Sequence, residues 1–209
     1  MSQESIWSER YRSAGEAYLF GTEPNRFLAR RQALLLGGRT ALSVADGEGR
    51  NSVWLAEQGL AVTAIEISAV AIEKARRLTA GRKVEVQYMQ ADMLAPGWPP
   101  AALQGGFDWV VGVFIQFVGP EWRERQFDAM KRLTAPGGRI LLQGYTPKQL
   151  EYRTGGPSAV ENLYTAESLR EAFADWDIEE LVEYEEDIVE GAGHKGRSAL
   201  IGLVARKPG

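Results

Sequence analysis

Residues 41–59, ALSVADGEGRNSVWLAEQG, decide how this chain folds. An apolar run (Ala41, Leu42, Val44, Ala45) leads into Gly47-Glu48-Gly49. An amphipathic helix is expected from about Asn51 until Gly59 stops it. The next run, residues 60–65, reads as a second buried strand and ends on Glu66. Glycines at the tip of one strand and a carboxylate at the tip of its neighbour make a corner that suits a nucleoside. Gly47 and Gly49 let the backbone turn tightly and approach a ligand where a Cβ would clash. Glu66 can accept two hydrogen bonds from a ribose diol.

Outward from this corner, short apolar runs alternate with helical segments, the pattern of a mainly parallel α/β sheet. Strands are expected at about 40–45, 61–66, 84–89, 107–113 and 139–143. Ser68 caps a helix to about Leu78, with Ala69, Ile72, Ala75 and Leu78 on one face. A helix over 121–133 runs into the turn Ala135-Pro136-Gly137-Gly138. Thr165 caps another helix, at 167–173. Late strands at 178–189 and 198–205 can pair antiparallel through Gly191 to Gly196. Before the corner, Pro24 can open a helix with Phe27, Leu28, Leu34 and Leu35 on one side. The expected division is one domain over 1–209, with a helical lid at 1–35 and an α/β core at 36–209.

Composition sets bounds. At 209 residues, 44% hydrophobic and 25% charged, the chain suits a single globular core. A net charge of −4 argues against a nucleic-acid partner, and Arg30-Arg31 and Arg76-Arg77 read as solvated helix faces. The absence of cysteine removes thiolate chemistry, and a single histidine leaves too few ligands for a usual zinc site, so no metal is expected. No run approaches the length of a membrane span, and the polar N-terminus lacks a signal peptide's apolar core. The expected compartment is the cytoplasm.

Two cofactor classes use such a corner. A nicotinamide fingerprint wants a third glycine where Ser52 stands, so that a helix N-terminus can meet a pyrophosphate. S-adenosylmethionine has no phosphate, and its sulfonium and ammonium suit a rim of Asp46, Glu48, Glu66 and Asp92. Asp92, where the third strand meets the crevice, can accept from an adenine amino group. The terminal antiparallel hairpin leans the same way.

The chain resembles class I S-adenosylmethionine-dependent methyltransferases of the tellurite-resistance-like branch. The matching pieces are Tyr18-Leu19-Phe20-Gly21-Thr22-Glu23-Pro24-Asn25, Gly47-Glu48-Gly49-Arg50-Asn51, Pro136-Gly137-Gly138, Thr154-Gly155-Gly156-Pro157, and Glu190-Gly191 with His194. The resemblance covers nearly the whole chain. It implies a Rossmann-like methyltransferase fold: a mainly parallel seven-stranded sheet, an antiparallel last strand and helices on both faces. It further implies that Ala45, Asp46, Gly47 and Gly49, with Asn51, wrap the methionine part of S-adenosyl-L-methionine. Glu66 would then hold the ribose, with Ile67 on the adenine face, Asp92 and Met93 bordering the adenine, and Val113 and Phe114 near the sulfonium. Ser43 stands in place of the usual acid and Ala45 in place of the usual first glycine, so Asp46 is expected to supply the missing carboxylate.

Catalytic residues are harder to read, because methyl transfer needs alignment more than proton transfer. His194, in a Gly-rich turn, could orient or deprotonate an acceptor, or simply bond backbone. Tyr145 follows the fifth strand, and Tyr152 precedes a turn-rich loop that could border the acceptor. Tyr11 and Tyr18 read as a lid, or as packing of an N-terminal helix. Gln116 and Phe117 fall where acceptor contacts are expected, and no Asn/Asp-Pro-Pro-Tyr/Phe motif stands there. The expected reaction is methyl transfer to a small molecule, leaving S-adenosyl-L-homocysteine (SAH). The alternatives are a cofactor-binding protein without turnover, motivated by Ser43 and Ala45, and a nicotinamide-dependent oxidoreductase.

Overall fold

The computed structural model describes residues 2–209. The apolar runs become seven strands: β1 (Thr40–Val44), β2 (Ala61–Glu66), β3 (Val86–Gln90), β4 (Phe107–Val113), β5 (Thr134–Tyr145), β6 (Asp177–Glu190) and β7 (His194–Arg206). They form one sheet in the order β3-β2-β1-β4-β5-β7-β6. Neighbours from β3 to β5 pair parallel, and β7 runs antiparallel to both β5 and β6. The order reverses between β1 and β4, so the carboxyl ends of these strands open a crevice there.

Helix α1 (Gln3–Ser13) is capped by Ser2, and the short α2 (Arg26–Ala29) by the buried Asn25. After these come α3 (Arg50–Glu57), α4 (Ala69–Arg82), α5 (Pro120–Leu133), α6 (Gln149–Tyr152) and α7 (Ala166–Ala172). One apolar layer packs Phe127, Met130, Leu133 and Phe173 against Val110, Ile140, Leu142 and Ile201 of the sheet. The other packs Phe27, Leu28, Leu35 and Leu55 against Ala41, Trp109, Leu141 and Val204. Alternate residues of the central strands thus enter opposite layers, as a sheet covered on both faces requires.

Four expectations are corrected in detail. The helix expected after Pro24 is broken into α2 and a 3₁₀ turn at Gln32–Leu35, because Arg31 leaves helical geometry. Its side chain bonds the Phe27 carbonyl and pairs with Glu180, while Leu34 is left exposed. Helix α4 runs past Leu78 to Arg82. The third strand starts at Val86 rather than Val84, whose N–H donates to the Thr79 carbonyl at 3.3 Å and so ends the helix. The last hairpin is tighter than read: β7 begins at His194, opposite Glu190, so the histidine is a strand residue.

Gly202, in β7, has Phe27 lying across it. A Cβ there would stand 2.0 Å from the phenyl Cε2, with the ring wedged between the sheet and α2. Gly202→Ala is therefore expected to destabilise the fold by about 1–3 kcal/mol through overpacking. A lowered urea midpoint at unchanged m-value checks this, and an unmoved midpoint would show that Phe27 repacks freely.

Candidate cofactor and acceptor site

The site grows from the tip of β1. Ala45 holds φ at 49°, the left-handed conformation a glycine would adopt most easily, and turns the chain under the crevice. Asp46 follows, buried, and takes Ser43 Oγ at 2.6 Å and Ser52 Oγ at 2.5 Å. Asp46 therefore stands beside the position from which the usual acid is missing. Both its oxygens are engaged in fixing the loop, and burial raises its pKa against the pull of the two serines. Ser52 is a serine rather than a glycine for the same reason, since its hydroxyl ties Asp46 to the start of α3.

Gly47 (φ 63°) sends its N–H to Glu66 Oε2 at 2.9 Å, and Ser68 N–H reaches Glu66 Oε1 at 2.9 Å. Burial raises the Glu66 pKa, and these two N–H groups oppose the shift by stabilising the carboxylate. A Cβ on Gly47 would lie 2.9 Å from the Tyr11 hydroxyl, so the glycine leaves room at the lip of the cavity. Gly49 has another task. A Cβ there would meet Ala75 Cβ at 2.8 Å, so Gly49 lets α3 approach α4 and does not line the cavity.

A cavity of about 500 Å³ opens above this corner, within the range of small-molecule sites. Its wall includes Ala45, Asp46, Gly47, Asn51, Glu66 and Ile67 on one side. Asp92, Met93, Val113, Phe114, Tyr145 and His194 continue it. Twelve of the residues expected from the sequence thus share one cavity. Asp92 is exposed there and accepts the Leu94 N–H at 2.8 Å, turning the chain after β3.

Besides Gly49, three expected residues lie elsewhere. Tyr18 is outside the cavity, its hydroxyl donating to the Lys74 carbonyl at 3.0 Å. Tyr152 faces outward at the end of α6 and donates to Glu185 at 2.5 Å, which removes it from the acceptor side. Glu48, expected on the rim, turns away to meet Lys74 at 2.7 Å and the Leu19 N–H at 2.7 Å. Gln116 does line the cavity, but its amide bonds both the N–H (2.6 Å) and the carbonyl (2.9 Å) of Tyr145, so it clamps backbone.

At the far end the walls are aromatic. Phe114, at φ 55° just past β4, stacks on Tyr145 (4.6 Å between centroids) and lies 4.4 Å from the His194 ring. Phe20 stacks on His194 from the other side at 4.7 Å. The Tyr145 hydroxyl and His194 Nδ1 are 2.6 Å apart. Burial, then the charges of Arg50 and Arg10, lower the His194 pKa to about 3, so the ring is neutral at pH 7. Burial, then Glu190, raises that of Tyr145. Helix α1 closes the top with Trp7, Arg10 and Tyr11. Among these only Tyr11 was signalled in the sequence. Trp7 and Arg10 reach the site through tertiary packing of a helix that carries no motif of its own, whereas Phe20 and Arg50 stand in matching pieces that gave them no role.

The chemistry of the wall fits S-adenosylmethionine. It offers the Glu66 carboxylate, clearance at Gly47, and a path past Phe114 toward the aromatic end. Comparison with known proteins agrees. Residues 41–138 match the methyltransferase domain family. No curated protein sequence matches the chain. Solved structures do, over nearly its full length. One, from work on conversion of a disulfide bond into a thioacetal group during echinomycin biosynthesis, aligns with a TM-score of 0.82 at 17% identity, covering 99% of this chain and 92% of that one. The magnesium protoporphyrin IX methyltransferase of Synechocystis PCC 6803, with bound SAH, gives 0.71 at 15% identity, covering 99% and 100%. TehB of Haemophilus influenzae gives 0.70 at 19%, covering 98% of this chain and 66% of that one. Residues 41–138 thus match the methyltransferase domain family, and the chain as a whole shares the fold of these solved structures, the SAH-bound methyltransferase among them.

Proposed function

We infer that the protein transfers the methyl group of S-adenosylmethionine to a small molecule bound at the aromatic end of the cavity. The observation that carries this is the continuity of one cavity, from Glu66 and Gly47 to the Phe114, Tyr145 and His194 cluster. In this reading Glu66 takes the ribose hydroxyls, Ile67 and Met93 flank the adenine with Asp92 beside it, and Ala45 to Gly47 border the methionine part. The cofactor supplies an electrophilic methyl on a sulfonium, and the protein supplies alignment and dryness. The lid residues Trp7 and Tyr11 exclude water, while Phe114 and Phe20 fix the plane of His194. A space roofed by α1 and walled by the Gly155-Gly156-Pro157 loop suits a small acceptor better than a polymer.

The Glu66→Ala variant tests the cofactor end. Loss of a charged hydrogen-bonding partner is expected to weaken SAH binding by about 1.5–3 kcal/mol, more than tenfold. Titration calorimetry with SAH and NAD reads it, and thermal unfolding controls for the two N–H groups left without Glu66. Unchanged SAH affinity would remove Glu66 from the site, and preferential binding of NAD would overturn the cofactor end as drawn.

A further inference from the structure

The Tyr145 hydroxyl meets His194 Nδ1 at 2.6 Å, and neither side chain makes another hydrogen bond. Two arrangements of protons fit that distance. Either Nδ1–H donates to the phenol oxygen, or the phenol O–H donates to Nδ1 and the ring proton sits on Nε2. The surroundings separate them. Tyr145 is 1% exposed, so in the first arrangement its own O–H would point into a dry wall with nothing to receive it. A buried donor left unmade is costly. In the second arrangement the two facing groups satisfy each other, and the remaining N–H falls on the ring atom that still has room. Phe20 and Phe114 cover the two faces of the imidazole, at 4.7 Å and 4.4 Å between centroids. Tyr145 takes Nδ1. What His194 shows to the cavity it lines is therefore its Nε2 edge, and Nε2 is not one of the fully enclosed unpartnered atoms.

The packing around this pair uses positions that the sequence marked without explaining. A Cβ on Gly156 would stand 2.7 Å from Tyr145 Cδ2, and one on Gly193 would stand 2.4 Å from Phe20 Cε1. The Gly155-Gly156-Pro157 loop thus presses on the tyrosine, while the hairpin glycine admits Phe20 to the histidine. Burial keeps the His194 ring neutral and the Tyr145 phenol protonated at pH 7, so the count of protons shared by the pair is fixed there.

Resting on the reading that cofactor and acceptor share this cavity, we propose that Tyr145 is a positioning residue: it locks His194 in the Nε2–H tautomer, and the histidine meets a cavity-bound oxygen as a hydrogen-bond donor, not as a base. The ligand chemistry is an oxygen lone pair, of a carboxylate or a carbonyl. The methionine carboxylate of the cofactor and an oxygen of the acceptor both supply it, and both call for the same donor. A nucleophile methylated here enters with its lone pair free, because Nε2 already carries its proton and Nδ1 is closed off by the tyrosine.

The chain has a single histidine, so one pair of ring-nitrogen resonances reports it without overlap. In protein carrying isotope-labelled histidine at pH 7, Nε2 is expected at a proton-bearing shift. Nδ1 is expected at an unprotonated shift drawn upfield by the tyrosine bond. Tyr145→Phe should move Nδ1 downfield to the place of an unbonded ring nitrogen, which a merely space-filling tyrosine would not do. The backbone amide spectrum checks that this variant keeps its fold, and the wild-type tautomer needs no variant at all. The ligand arms use SAH, methylthioadenosine (which lacks the amino-acid end), and benzoate added to the SAH complex. A downfield move of the Nε2 proton with SAH but not methylthioadenosine supports the proposal and assigns the oxygen to the cofactor. A move that appears only with benzoate supports it and assigns the oxygen to the acceptor. Whichever ligand moves the signal should bind His194→Leu about two- to tenfold more weakly, and His194→Gln, whose amide can make both bonds, less so. A ring protonated on Nδ1, an Nδ1 signal indifferent to Tyr145→Phe, or an Nε2 proton moved by neither SAH nor benzoate would each overturn the proposal. Failure of SAH to bind is read separately by calorimetry and sinks the cofactor reading, while the tautomer of the free protein is decided without any ligand.

Discussion

Replacing Lys74 with methionine is expected to destabilise the fold by about 3–5 kcal/mol, because it strands a buried carboxylate. Lys74 Nζ reaches Glu48 at 2.7 Å, the Ala17 carbonyl at 2.7 Å and the Tyr11 carbonyl at 3.1 Å, and both ionic side chains are almost fully buried. Glu48 in turn receives the Leu19 N–H. The pair therefore stitches residues 11–20, which carry Tyr11 and Phe20, onto α4 and the glycine loop. Loss of the lysine leaves Glu48 with backbone N–H partners but no counter-charge, and it also frees two carbonyls of the lid. Adding Glu48→Gln to Lys74→Met removes the stranded charge while keeping an acceptor for Leu19. The double variant is then expected to be more stable than Lys74→Met alone, with a coupling of about 2 kcal/mol or more in a urea-denaturation cycle. Additive effects would mean that the two charges do not act as a pair. Because the lid hangs on this fastening, SAH affinity should fall in Lys74→Met even under conditions where the protein remains folded.

That pair also shows where sequence reading stops. Helical periodicity sorted Ile72, Ala75 and Leu78 to the buried face, since those positions need only an apolar neighbour, whereas Ala69, read with them, is exposed at the start of α4. The same logic sends Lys74 and Glu48 outward, because a charge is buried only when a distant partner meets it. Arg50 and Glu190, 140 positions apart, escaped for the same reason. By contrast, the corner assigned above to the nucleoside is made of local features. Apolar runs end on Gly47, Glu66 and Asp92, and parallel pairing of β1, β2 and β3 brings those ends together whatever surrounds them. Tyr145 was placed correctly because the end of a central strand must face the crevice. Tyr152 and Tyr18 were not, because their positions depend on how α6 and the lid loop settle on Glu185 and Lys74. The departures at Ser43 and Ala45 became intelligible only in three dimensions. Asp46 reaches back to Ser43, and Ala45 accepts the left-handed turn itself.

Acid should expose His194 as a second large term. Its pKa lies near 3 in the folded protein, against an ordinary value of 6.5, and burial is the main cause. Between those values the unfolded chain binds a proton that the folded one refuses. The contribution is therefore fully present above pH 6.5 and is lost as pH falls toward 3. The loss amounts to about 2 kcal/mol at pH 5 and approaches about 4–5 kcal/mol near pH 3. Asp46 and Glu66 work in the opposite sense, since burial raises their pKa values and the folded state takes up their protons first. A comparison of wild type with His194→Gln cancels them, because both proteins keep these acids, and a glutamine oxygen can still accept from Tyr145. Urea denaturation at pH 7 and again at pH 5 should show the wild type losing about 2 kcal/mol more than the variant. Equal losses would mean that His194 ionises in the folded state at its usual pH, with the ring wetter than its stacking between Phe20 and Phe114 allows. The same neutrality carries into catalysis. A histidine that stays uncharged across this range cannot impose a rate–pH step near 6.5, so any step seen there has to come from the acceptor.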